Sequence, residues 1–201
     1  MRGGPKALWQ TAWQMADLID ADGFRANVGI ILMRDNAEVF LGRRTGGRGW
    51  QFPQGGMREG ETLEQALYRE LQEEVGLTSA DVKVLARTEQ WLRYRLPPRY
   101  VRRNNHPVCI GQKQRWFLLK LERENATFAF DSTPEPEFDQ WRWTSYWEPI
   151  REVIYFKRAV YVKALEELAP AAFPHGAPPA PAWLASFAGQ QEPRGSSASL
   201  D

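Results

Sequence analysis

The chain has 201 residues, 43% hydrophobic and 25% charged, with a net charge of +1. That length supports one domain with a real core plus tails, and the charge by itself argues nothing about nucleic acid. No apolar run approaches the roughly 18 residues of a membrane span, the lone Cys109 excludes an internal disulfide, and the two histidines offer no zinc spacing.

Residues 1–18 form an N-terminal extension with amphipathic turns, in which Met15 is an equally natural start and Gln10, Gln14 and Asp17 interrupt any signal-peptide core. With one cysteine in an apolar PVCIG run, read as a small buried side chain, the expected setting is the reducing cytoplasm. Ala26–Met33 has the β-branched density of a buried strand, with Glu38–Gly42 as its hairpin partner. Three glycines at 46, 47 and 49 loosen the chain before a short strand, Trp50–Pro53, that enters a tight glycine loop. A helix is predicted from Leu63 to Val75, because Thr62 and Gln65 make a capping box and Gly76 supplies a left-handed end.

After that helix, Val82–Arg87 and Gln90–Arg95 alternate as half-exposed strands, and a basic, irregular loop runs to about Pro107. Gln114–Leu121 reads as a buried strand and Gln140–Trp147 as an alternating one, followed by helical stretches at Glu148–Ile150 and Tyr155–Leu168. From Pro170 onward, six prolines among Ala, Gly, Ser and Gln predict a largely disordered tail, 170–201, behind a domain spanning 19–169. The fold class is α+β, a mixed sheet with the central helix on one face and the C-terminal helix elsewhere.

On the central helix Glu70, Glu73 and Glu74 stand at i, i+3 and i+4, beside an apolar stripe of Leu67, Leu71 and Val75. Three like charges so close form either a solvated acidic face or a seat for a hard divalent cation such as Mg²⁺ or Mn²⁺, and spacing alone leaves both open. The chain's charge is also polarised: residues 91–121 carry eight cations and no acid. Trp91, Tyr94, Tyr100, Trp116 and Phe117 are interleaved with them, a composition suited to RNA stacking or, for the last two, to a core strand.

Gly55, Glu61 and the run Arg69-Glu70-Leu71-Gln72-Glu73-Glu74-Val75-Gly76-Leu77 together resemble the complete motif of the Nudix hydrolases. The resemblance implies an αβα sandwich and Mg²⁺-dependent cleavage of a nucleoside diphosphate linked to another group. Outside the motif, segments at 22–30, 50–56, 91–97, 108–119, 132–147 and 155–161 are similar to the bacterial RNA pyrophosphohydrolases, with Ala26 and Met57 as departures that touch no carboxylate. That subgroup resemblance implies removal of pyrophosphate from 5′-triphosphorylated RNA, promoting decay of the transcript. It further implies Glu70, Glu73, Glu74 and Glu137 as metal ligands and catalytic acids, helped by the Gly55 carbonyl. Arg69 is expected to orient a motif glutamate, Glu73 at i+4, while Glu61 braces the loop–helix junction. Arg25, Arg44, Tyr94, Phe156 and Lys157 match substrate-contacting positions. The rival expectations are a dinucleoside polyphosphate hydrolase using the same site, a non-catalytic RNA-binding module, and a housecleaning enzyme for damaged nucleotides.

Overall fold

The computed structural model describes residues 18–188 except 48, 124, 125 and 131–133. The N-terminal extension up to residue 17 and the last part of the expected tail, 189–201, lie outside the described residues.

Two parallel strands make the spine. β1 (Phe24–Met33) lies beside a later strand, Gly111–Leu121, in register from Phe24↔Gly111 to Met33↔Lys120. In chain order β2 (Val39–Arg44), β3 (Trp50–Gln51) and β4 (Gln54–Gly56) follow β1. Next come α1 (Leu63–Val75), β5 (Val82–Arg87), β6 (Leu92–Arg95), the parallel strand β7 (Gly111–Leu121) and β8 (Phe138–Thr144). The chain then forms α2 (Pro149–Glu152), α3 (Arg158–Ala172) and a short α4 (Ala185–Ala188). All pairings other than β1–β7 are antiparallel, so the sheet is mixed.

The outer edges of the spine are each shared between two strands. β1 gives its first half to β4 and its end to β2, while β7 gives its first half to β6 and its second to β5. Near the start of the spine the flanking strands therefore diverge from those near its end.

Period-two alternation sorts the side chains onto two faces. Ala26, Val28, Ile30 and Leu32 join Phe117 and Leu119 beneath Leu67, Leu71 and Val75 of α1. Ile31, Trp116 and Leu118 join Tyr161, Leu165 and Leu168 of α3 on the other face. The αβα sandwich implied by the resemblance is the observed architecture. Gly29 is required on this second face, because a Cβ there would stand 2.5 Å from the Trp116 ring. Tyr161 packs against both Trp116 and Phe52, and its hydroxyl accepts the Phe52 N–H at 3.0 Å, which anchors the segment between β3 and β4.

The central helix has the expected bounds and caps: Thr62 and Gln65 exchange both capping hydrogen bonds, and Gly76 takes φ 77°. Two other expectations are corrected. Gln54–Gly56 is not a free loop but a strand on the edge of β1. The α3 helix also crosses Pro170 to end at Ala172. Pro170 is exposed, and so is Glu166, whose carbonyl loses its partner, so water can satisfy it. Beyond it the chain still packs: Leu184 is buried, Trp147 Nε1 donates to the Pro178 carbonyl at 3.3 Å, and Arg151 covers Trp183. No described helix is long and apolar enough to cross a membrane.

Deleting residues 174–201 is therefore expected to lower stability by about 2 kcal/mol, the order of one buried leucine side chain. Chemical denaturation of the truncated and full chains checks it, and equal midpoints would show that the packed tail contributes nothing.

Candidate active site

A cleft of about 970 Å³ opens over the first half of the spine, and its floor carries Gly55, Glu70, Glu74 and Glu137. The fold brings these together from three places. β4 lays Gly55 beside Val28 of β1, α1 crosses above it, and Glu137 precedes β8. The glycine is a steric requirement: a Cβ at position 55 would collide with the Glu70 carboxyl group.

Glu70 and Glu74, one turn apart, both face the cleft. Glu70 is 7% exposed. Burial pushes its carboxyl above the usual range, Arg69 opposes that, and Glu73 adds to it. Glu74 is pushed up further, by burial and then by the Glu70 charge, with Glu137 contributing. The Gln54 N–H donates to Glu74 Oε2 at 2.9 Å and fixes its direction.

Glu73 does not line the cleft. At about 100° per residue it lies about 60° to one side of Glu70, while Glu74 lies about 40° to the other. There Glu73 pairs with Arg58 at 3.1 Å and Arg69 at 3.2 Å. Arg69 makes the expected ion pair with Glu73 but is held more closely elsewhere. Its firmest partner is Glu61, held through two nitrogens at 2.7 and 2.9 Å, and it reaches Glu70 at 2.5 Å and the Gly56 carbonyl at 2.8 Å. Burial works against its charge, but Glu61 and Glu70 outweigh burial and hold Arg69 above its usual range. Arg69 is thus a positioning residue for Glu70 rather than a group in the cleft. Glu61 braces the junction as expected, accepting the Arg58 N–H at 2.9 Å.

Cations and aromatic rings form the cleft walls. Arg44 Nε donates to Glu137 Oε1 at 2.8 Å, and the same oxygen accepts from Gln51 Nε2 at 3.1 Å. Gln51 in turn accepts from Lys157 Nζ at 3.1 Å. Lys157 is 8% exposed, and burial, with Arg44 nearby, draws its pKa down to about 8 against the pull of Glu137 and Glu74. Tyr94 is buried, its hydroxyl 2.5 Å from Gln112 Oε1, with its ring 5.8 Å from half-buried Phe156. Tyr100, which is exposed, also packs against Phe156, with ring centroids 5.3 Å apart. The Arg25 guanidinium lies against Gly56, where a Cβ would strike it. Arg25, Arg44, Tyr94, Phe156 and Lys157 therefore line one cleft, as expected for a shared site.

Trp116 and Phe117 are core side chains, and Cys109 is half-buried in the cleft wall rather than in the core. Sequence reasoning missed Gln51, which is 4% exposed and bridges Lys157 to Glu137. The only signal was a polar residue between Trp50 and Phe52.

The donor set suits a hard cation: two carboxylates raised by burial and by neighbouring carboxylates, a third on the same floor, and a glycine that lets backbone approach. Among the described residues no three acidic, histidine or cysteine side chains converge at ligating distance. The ion pairs account for this, since Arg69 draws Glu70 and Glu73 while Arg44 draws Glu137.

The family model described as the NUDIX domain matches residues 23–168. The chain is 56% identical over 164 residues to the RNA pyrophosphohydrolase of Alkalilimnicola ehrlichii, covering 82% of this chain and 91% of that protein. It is 59% identical over 152 residues to the RNA pyrophosphohydrolase of a Psychrobacter species, covering 76% and 88%. Among solved structures, the E. coli dihydroneopterin triphosphate pyrophosphohydrolase shares the fold, with a TM-score of 0.56 at 19% identity over 69% of this chain and 92% of that one.

Neutralising the most crowded carboxylate is expected to stabilise the protein in EDTA. Glu74→Gln keeps an acceptor for the Gln54 N–H and removes a poorly solvated charge, raising Tm by about 2–4 °C per kcal/mol relieved. Added Mg²⁺ is expected to raise the Tm of the unsubstituted protein and narrow the gap. Differential scanning calorimetry checks both, and a lower Tm for Glu74→Gln in EDTA would make this carboxylate a structural group.

Proposed function

This chain belongs to the NUDIX-domain family, and from that premise we propose that it is an RNA pyrophosphohydrolase, removing pyrophosphate from the 5′-triphosphate end of RNA to leave a 5′-monophosphate and promote decay. The observation that carries the reading is one cleft joining an acidic floor to walls of cations and aromatic rings, in a chain more than half identical to relatives bearing that name.

Glu70, Glu74, Glu137 and the Gly55 carbonyl are the groups that would hold Mg²⁺ (or Mn²⁺), with Glu73 on the flank joining only if it leaves Arg58 and Arg69. When bound, the cation supplies charge neutralisation at the oxygens of the polyphosphate, where phosphoryl transfer develops negative charge. The chain's own residues do the rest. Arg44 and Lys157 face the same space and balance the triphosphate's remaining charge. A floor carboxylate accepts the proton of the attacking water, and a raised carboxyl pKa suits that task better than an ordinary one. Arg69 holds Glu70 in place from behind, and Gln51 does the same for Glu137 and Lys157. Phe156, steadied by Tyr94 and Tyr100, offers a face on which the 5′-terminal base stacks.

Purified protein with Mg²⁺ is expected to release pyrophosphate from 5′-triphosphorylated RNA with a kcat/KM well above that on diadenosine tetraphosphate. Glu70→Gln is expected to cost about a hundredfold or more in rate, as loss of one ligand in a charged transition state does. A clear preference for the dinucleotide would replace the RNA reading with the dinucleoside polyphosphate one.

A further inference from the structure

The long connection from 96 to 110 between β6 and β7 lines a second, open cavity of about 410 Å³. Connections of such length are uncommon unless they carry function. This one is braced: the Leu96 N–H donates to the Ile110 carbonyl and the Ile110 N–H to the Gly23 carbonyl, each at 2.9 Å. Pro98–Tyr100 forms a 3-10 turn over it. The cavity is walled by half-exposed Leu96, Val101, Val108 and Ile110, with Arg95 and Arg103 at its rim. Leu96 also lines the catalytic cleft, and Arg102, next to Arg103 in the chain, faces that cleft. The two spaces are therefore neighbours with a common wall.

Two arginines at the rim, Arg95 at the end of β6 and Arg103 in the connection, have no ion pair among the described residues, unlike several arginines elsewhere. Arg93 sits within 3.5–4.0 Å of Asp22 and Asp20, and Arg34, Arg43, Arg44, Arg58, Arg123 and Arg142 each pair with a carboxylate. Among the described residues, Arg95 has only the Phe24 ring beneath it, 5.3 Å away, and Arg103 has no ion pair. Two cations with no carboxylate partner, beside aliphatic side chains left half-exposed, suit an occupant with alternating anionic and flat apolar parts. A nucleotide chain has that alternation, and continuity with a cleft that takes the 5′ end says where the rest of it goes.

We propose that this cavity is a downstream RNA subsite: the strand leaving the cleft past Arg102 sets a phosphate between Arg95 and Arg103 and a base against Leu96, Val101, Val108 and Ile110. The proposal rests on the RNA reading above and adds to it a dependence on substrate length.

The test compares a 5′-triphosphorylated trinucleotide with an RNA of about twelve nucleotides, long enough to run from the cleft across the second cavity. The unsubstituted protein is expected to favour the longer RNA in kcat/KM, and Arg95→Gln/Arg103→Gln is expected to cut that preference about tenfold. Val108→Asp, which sets a negative charge in the cavity, is expected to do the same. Lys83→Gln/Arg87→Gln, removing equal charge from exposed positions of β5, is expected to keep the preference. Binding of the longer RNA should also lose salt dependence in the arginine pair, its log–log slope becoming shallower by about 0.7, the value for the one single-strand phosphate held between the two arginines. No length preference, an unchanged preference in the arginine pair, or an equal loss in the β5 control each overturns the subsite. Failure to hydrolyse even the trinucleotide overturns the hydrolase reading instead, and circular dichroism of each variant separates misfolding from both.

Discussion

Carboxylate crowding at the base of the cleft is the constraint around which the structure is arranged. Burial and neighbouring carboxylates, Glu73 beside Glu70 and Glu70 beside Glu74, push both groups toward protonation, and a fold selected only for stability would not bring Glu137 toward them. The surroundings hold these groups in place and relieve them only in part. Gly55 gives up a side chain so that Glu70 fits, and the Gln54 N–H aims Glu74. Arg69 ties Glu61, Glu70 and Glu73 into one network behind the floor.

That arrangement depends on topology. β1 must end its pairing with β4 and begin with β2 partway along one edge, leaving the short strand free to carry Gly55 beneath α1. β7 divides its own edge between β6 and β5, and the β6 side supplies Tyr94 to the cleft wall. The C-terminal helix closes the second face of the sheet, and the 3-10 turn leading into it, Tyr155–Lys157, delivers Phe156 and Lys157. Glu70 and Glu74 thus come from one helical layer and Phe156 and Lys157 from the approach to the other, while Arg25, Arg44 and, just before β8, Glu137 come from the sheet between them. The Lys157–Gln51–Glu137–Arg44 chain of hydrogen bonds joins them across the cleft.

Much of this was legible in the sequence where the cause is local. The capping box at Thr62 and the left-handed Gly76 fixed both ends of α1, and dense β-branched and apolar runs marked β1 and β7 as buried strands. Features with a distant cause were not. Two glycines gave Gln54–Gly56 no strand propensity of its own, so only the waiting edge of β1 makes it one. The i, i+3, i+4 spacing showed three glutamates near one another but not which side faces the cleft, and the structure turns Glu73 toward Arg58. Arg69 was matched to Glu73 by helical spacing, while its firmest partner, Glu61, stands before the helix in a turn whose course spacing does not give. The packed segment at 182–188 was hidden by the prolines that precede it, although Trp183, Leu184 and Phe187 supplied the apolar side chains that dock it.

The claim beneath all of this is that the floor carboxylates exist to hold a hard cation. The most direct measurement is a crystal grown with Mn²⁺ and collected for anomalous scattering. The account expects a difference peak within ligating distance, roughly 2.0–2.4 Å, of oxygens from Glu70 and Glu74 and close to the Gly55 carbonyl. An empty floor at saturating Mn²⁺, or a peak only at unrelated surface acids, would contradict it.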